Sequence, residues 1–215
     1  RDNAIPYLKS FIYNNLQIEV KCLDLNAQFH LRRFPSFYQQ IKETKNLETY
    51  GKILAEFENT SREVYAENHK KVIRDENPEL FSEMIALITT EKPTLVALSL
   101  VYNSQCFYAK ALIKELGKKG IKCILGGPSA PNIKEQNTTI LKDEIELIQF
   151  LLTESQEPIA TFEGENYNYN TIPDFNDFPK EDYLSKERII PLKTSSTCFY
   201  KLCTFCTHYA DVPYF

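Results

Sequence analysis

The spacing of hydrophobic and polar positions changes several times along this chain, and each change predicts an element. Over residues 5–16, "IPYLKSFIYNNL", Ile5, Leu8, Phe11, Ile12 and Leu16 recur on one helical face. The period then falls to two. Ile18, Val20 and Cys22 alternate with polar residues and the run ends in Asp24 and Asn26, which predicts a strand followed by a loop. Residues 30–90 are charged and mostly helical in pattern, with breaks expected near Pro35, Asn59 and Pro78, so they read as a helical insertion. The clearest architecture lies at 94–128. "TLVALSLVY" is a near-continuous apolar run, as expected of a strand buried on both faces of a parallel sheet. Phe107, Ala111, Leu112 and Leu116 follow at helical spacing, with Gly117 or Gly120 as the stop. "IKCILGGP" then predicts a second buried strand ending in a double glycine. Strand, helix, strand is a βαβ unit with an expected right-handed crossover. An open α/β sheet binds ligands at the carboxyl ends of its strands, occupied here by residues 99–103 and 126–129.

The pattern is less decisive afterwards. "ILKDEIELIQFLL" (140–152) fits a helix, or a helix running into a strand. "EGENYNYNTIPDFNDFP" (163–179) is polar and turn-rich, with Pro173 and Pro179, and reads as a linker. "RIIPLKTSS" (188–196) reads as a new strand. There is no internal repeat and no low-complexity tract.

Composition narrows the class. The chain has 215 residues, 43% hydrophobic and 25% charged, enough for a globular core. A net charge of −4 argues against a nucleic-acid partner, and no apolar run is long enough to span a membrane. The opening "RDNAIPYLKSF" lacks the pattern of a secretory leader. Six cysteines are too few for a disulfide scaffold, and their uneven placement points to metal chemistry in a reducing compartment; a cytoplasmic protein is expected.

Three of those cysteines form the strongest chemical signal, Cys198-x4-Cys203-x2-Cys206. Thiolates ligate iron–sulfur clusters and zinc, and a two-residue gap lets both thiolates turn toward one centre. Three cysteines leave one iron of a cluster open to a substrate or cofactor. A zinc site of Cys198, Cys203, Cys206 and His208 is the competing reading, and unligated thiols the third. The other cysteines read as structural: Cys22 and Cys123 on predicted strands, Cys106 at a helix start. Asp24 reads as a turn or cap residue, the run Asp143, Glu144 and Glu146 as a solvated helix face, and His30 and His69 as surface or insertion residues.

"CTFC" at 203–206 resembles the Cys-x-aromatic-Cys end of the cysteine loop of radical S-adenosylmethionine (SAM) enzymes, although four residues rather than the commoner three separate Cys198 and Cys203. Upstream, "PYLKSFI" (6–12), "CLDLN" (22–26), the stretch 96–128 and "IPDFNDFPKEDYLSKERIIPLKTSSTC" (172–198) resemble, in order and spacing, the branch of that family in which a cobalamin-binding α/β domain precedes the barrel. The resemblance implies a Rossmann-like open parallel α/β sheet with a helical insertion at about 30–90, together filling 1–150. A linker at 151–185 would follow, then the first strand and cysteine loop of a partial (β/α) barrel at 186–215. Nine residues follow Cys206, so the chain is expected to be an N-terminal part of a longer enzyme. It further implies that Cys198, Cys203 and Cys206 hold a [4Fe-4S] cluster and that Phe205 supports SAM. Ser99, Tyr102 and the Gly126-Gly127-Pro128 turn would line a cobalamin pocket, since glycine lets backbone approach a bulky cofactor. The Asp-x-His-x-x-Gly motif that supplies an axial histidine in many cobalamin proteins is absent. Implied partners are a small-molecule or peptide substrate and a reductant such as flavodoxin or ferredoxin. The implied chemistry is methyl transfer or peptide and natural-product modification. The alternative is a non-catalytic α/β binding module with a C-terminal zinc site.

Overall fold

The computed structural model describes residues 4–135, 138–154, 167–185, 187 and 190. Helices cover both faces of a small parallel sheet. Strands β1 (Leu95–Ser99), β2 (Lys122–Gly126) and β3 (Thr138–Ile140) lie in the order β1-β2-β3, with Leu95 opposite Lys122 and Cys123 opposite Thr138. The pleat sorts the side chains between two cores. Val96, Leu98, Cys123 and Leu125 face one cluster, while Leu95 and Ile124 face the other. The second cluster is built by α1 (Ala4–Leu16) and α7 (Glu144–Glu154), around the fully buried Phe11 and Ile148. The first contains α2 (Leu25–Arg33), α3 (Pro35–Glu43), α4 (Leu47–Ile73), α5 (Phe81–Thr90) and α6 (Asn103–Lys118). The 30–90 segment is therefore no appendage: its Phe34, Phe57 and Met84 share one core with the sheet helix residues Leu112 and Leu116.

Local chemistry sets the helix ends. Asp24 caps α2 by accepting from Ala27 N at 2.9 Å, as its position predicts. Pro35 opens α3 at the first helical position, where a missing N–H costs nothing. Asn46 accepts from Glu48 and Thr49 N and starts α4. That helix runs unbroken through Asn59, where a break was expected, because a mid-helix Asn costs only about 0.7 kcal/mol and the packed face carries it. The break falls instead at residues 44–46. Gly117 stays helical, and Gly120, at φ +75°, is the stop after α6.

Three further expectations are corrected. Residues 17–24 form a loop that pairs with no strand among the described residues. Ile18 and Val20 pack into the second core, and the backbone N–H of Cys22 is taken by Asp177 Oδ2 at 3.0 Å rather than by a ladder carbonyl. β1 is not buried on both faces: Ala97 is exposed and borders a cavity. The order in 138–154 is strand then helix, since Asp143 caps α7 through Ile145 and Glu146 N and so sets its start after β3. Of the run expected on a solvated face, Asp143 is exposed, while Glu144 and Glu146 are half-buried and Glu146 Oε2 accepts from Lys142 N.

Residues 167–185 are docked rather than hanging as a free linker. Asp177 accepts from Lys9 Nζ (2.8 Å), Lys21 Nζ (2.9 Å) and Cys22 N, while Lys9 also pairs with Asp174. Asn168 N donates to Asn15 Oδ1, Tyr183 Oη donates to Asp24 Oδ2 at 3.0 Å, and Phe178 is buried. Residues 151–154, expected to begin the linker, are the end of α7.

Candidate functional site

The chain leaves β1 at Ser99 and enters α6 at Asn103, so the carboxyl end of β1 and the amino end of α6 meet. Gln105 Oε1 accepts from Val101 N and Tyr102 N and holds this turn closed. Beside it opens a cavity of about 840 Å³. Ala97, Ser99 and Tyr102 form its sheet side, α2 and α4 cover it, and Phe178 and Tyr183 of the docked segment close it. That volume lies in the range of small-molecule sites, and its place at a strand's carboxyl end is where open α/β sheets bind ligands.

Of the residues expected at a cofactor pocket, Ser99 and Tyr102 border this cavity; Gly126, Gly127 and Pro128 are not among its walls. The glycine turn has a different neighbour. Gly127 sits at φ +91°, and a Cβ there would lie 2.5 Å from the Leu100 carbonyl oxygen. Ser129 N donates to that same carbonyl at 2.9 Å, and Ser129 Oγ donates to Val101 O at 3.0 Å. The second glycine thus brings two backbone segments together, which needs the freedom glycine has.

Both described histidines, expected as surface or insertion residues, lie in the 30–90 segment, and both are half-buried against neighbours rather than free in solvent. His30 packs among Phe29, Phe34 and Phe57, with Nε2 hydrogen-bonded to Tyr65 Oη. Burial pulls its pKa down to about 4, against a smaller opposing pull from Asp24, so the ring is neutral at pH 7. Tyr65 Oη also donates to Asn26 Oδ1 at 3.2 Å, and burial with Asp24 nearby pushes its pKa up to about 12. His69 stacks on Phe107. All four of His30, Tyr65, Asn26 and His69 border the cavity. The sequence signal for them was weak, because histidine and tyrosine within charged helices look the same whether they face solvent or a neighbour.

Cys22, Cys106 and Cys123 are free, buried thiols, as expected, although Cys22 lies in a loop. Burial pushes the Cys22 and Cys123 thiols up to about 11. Cys198, Cys203, Cys206, Phe205 and His208 lie outside the described residues. Among the described residues, no group of three or more His, Cys, Asp or Glu side chains is arranged to hold a metal. No helix there is long and apolar enough to cross a membrane. No family model matches the chain, and neither a curated protein nor a solved structure does.

Proposed function

We propose that this chain is the N-terminal part of a radical SAM enzyme: an α/β domain that leads, through a docked segment, into a cluster-binding loop. The observation that carries the reading is the thiol set Cys198-x4-Cys203-x2-Cys206 with Phe205 between the last two cysteines. The donor chemistry fits a [4Fe-4S] cluster with one iron free. Bound there, the cluster would supply the electron that cleaves SAM. Cys198, Cys203 and Cys206 hold it, and Phe205 supports the SAM side. The substrate class is a small molecule or peptide with an unactivated C–H bond, and flavodoxin or ferredoxin is the reductant class.

Cobalamin fits the described residues poorly. The Gly126-Gly127-Pro128 turn is spent on the Leu100 backbone, and His30 is engaged by Tyr65. We assign no step to it.

The test is iron and acid-labile sulfide analysis of anaerobically reconstituted protein. About four of each per chain are expected, lost in Cys203→Ser and Cys206→Ser. Stoichiometric zinc without sulfide would overturn the reading in favour of a zinc-stapled binding module.

A further inference from the structure

β1 has the sequence of an inner strand and the place of an edge strand. "TLVALSLVY" is the near-continuous apolar run of a strand with neighbours on both sides in a parallel sheet, yet among the described residues only β2 pairs with it. The register shows which backbone groups are left over. Leu100 N donates to Gly126 O at 2.8 Å, so Val96, Leu98 and Leu100 turn their peptide groups toward β2. Leu95, Ala97 and Ser99 turn theirs the other way, because alternate residues of a strand face opposite neighbours. Those outward N–H and C=O groups have no hydrogen-bond partner among the described residues. They are within reach: Ala97 is exposed, Leu95 and Ser99 are half-buried, and Ala97 and Ser99 border the cavity.

Nothing blunts this edge. Natural edges are protected by shortness, charge, proline or a bulge. β3, at the opposite edge of the sheet, is only three residues long. β1 offers five residues, about 16 Å of strand, with no charge, no proline and an unbroken register against β2.

The surroundings specify what pairs there. The cavity reaches both faces of the sheet at this edge: Ile5 and Pro6 of α1 border it on one face, Ala109 and Leu112 of α6 on the other. A strand laid beside β1 points successive side chains to opposite faces, so each of them meets an apolar wall. Among the described lining residues there is no lysine or arginine. The carboxylates there are engaged, Asp24 by Ala27 N and Tyr183 Oη and Asp182 by Gln28 Nε2. A charged side chain entering this space is desolvated without a partner. Another extended backbone matches the two-residue repeat of donors and acceptors on Leu95, Ala97 and Ser99.

We propose that the free edge of β1 binds an extended peptide from a separate polypeptide chain, a run of about five uncharged, apolar residues that adds a strand to the sheet. Pairing with the outward groups of Leu95, Ala97 and Ser99 gives the affinity, and the apolar walls select the side chains. The proposal does not rest on the cluster.

The test is a fluorescence-anisotropy titration of a fluorescein-labelled peptide, KKGVIVVIGKK, with the full 215-residue chain, joined to amide hydrogen exchange. Saturable binding of one peptide per chain is expected, with exchange slowed at Ala97 and Ser99. The same peptide with every amide of its apolar run N-methylated does not bind. A peptide alternating valine with lysine and glutamate over that run binds at least about tenfold more weakly. Ala97→Pro removes one outward N–H and obstructs the edge; its N–H lies outside the β1–β2 ladder, where an edge strand tolerates proline. It weakens binding at least about tenfold, the factor that corresponds to one hydrogen bond. Ala97→Lys, at the same exposed position, carries the test if the proline variant does not fold, as circular dichroism shows. No saturable binding, equal binding by the N-methylated or the alternating peptide, exchange unchanged at Ala97 and Ser99, or binding unchanged in folded variants would each overturn the proposal. A dimer of the chain in sedimentation that Ala97→Lys abolishes would also overturn it, with a second copy as the occupant. The iron and sulfide analysis reads cysteines away from this edge, so a negative result in one experiment leaves the other's result standing.

Discussion

Replacing Asp177 with alanine removes the anchor of the segment that closes the cavity. The carboxylate is 10% exposed and receives Lys9 Nζ, Lys21 Nζ and the Cys22 N–H. Burial alone would raise its pKa. The hydrogen bonds from Lys9, Cys22 and Lys21 outweigh burial and hold it below the usual carboxylate range. The losses are unequal. Lys9 keeps Asp174 at 2.8 Å, so its charge is not stranded. Lys21 is 54% exposed, and its pair contributes at most about 1 kcal/mol. The partly buried Cys22 N–H is orphaned at about 1–3 kcal/mol. Together these give about 3 kcal/mol. For a domain of this size that corresponds to a drop in Tm of roughly 6–12 °C. The sign with pH follows. A depressed folded pKa means the stabilisation is present above about pH 3.9, the unfolded value, and is lost as pH falls through the lower folded value. Thermal melts by circular dichroism at pH 7, with amide exchange across 167–185, measure both effects. A variant melting within about 1 °C of the parent, with exchange in that segment unchanged, would refute the anchoring role.

Three further outcomes are expected. His30 has a folded pKa of about 4 against 6.5 unfolded, so stability falls as pH drops between those values, with a slope approaching about 1.4 kcal/mol per pH unit; urea melts of His30→Phe show a flatter profile there, and an NMR titration finds the ring neutral at about pH 5.5. Gly127→Ala forces a methyl group to within 2.5 Å of the Leu100 carbonyl at φ +91°, and urea denaturation shows a loss of about 2 kcal/mol or more. Cys22 and Cys123, with thiols pushed up to about 11 by burial, resist alkylation at about pH 8 in the native protein and label fully in denaturant, as read by peptide mass spectrometry.

The sequence was most legible where one period dominated. The β1–α6–β2 unit and α1 follow directly from the spacing of Leu95–Ser99, Leu112 and Leu116, and Phe11 and Leu16. It misled where a local pattern was satisfied by something distant. Ile18 and Val20 alternate as a strand would, but the ladder position of the Cys22 N–H went to Asp177, 155 residues away. The run 163–179 looks like a linker because it is polar, yet its aspartates face Lys9 and Lys21 near the other end of the chain. His30 and His69 sit in charged helices, and only the tertiary packing shows that their faces are turned inward. The double glycine suggested a cofactor approach, while its neighbour is the chain's own backbone at Leu100. The cavity arises where α2, α4 and the docked segment cross over β1, a juxtaposition that no single stretch encodes.

Electron paramagnetic resonance of the reduced, reconstituted protein, recorded with and without SAM, most directly tests the radical SAM reading. A cluster held by Cys198, Cys203 and Cys206 has one iron open to SAM's amino and carboxylate groups, so the reduced-cluster signal changes when SAM is added, and both signals vanish in Cys206→Ser. A signal indifferent to SAM, or no cluster signal from protein that carries zinc, would contradict it.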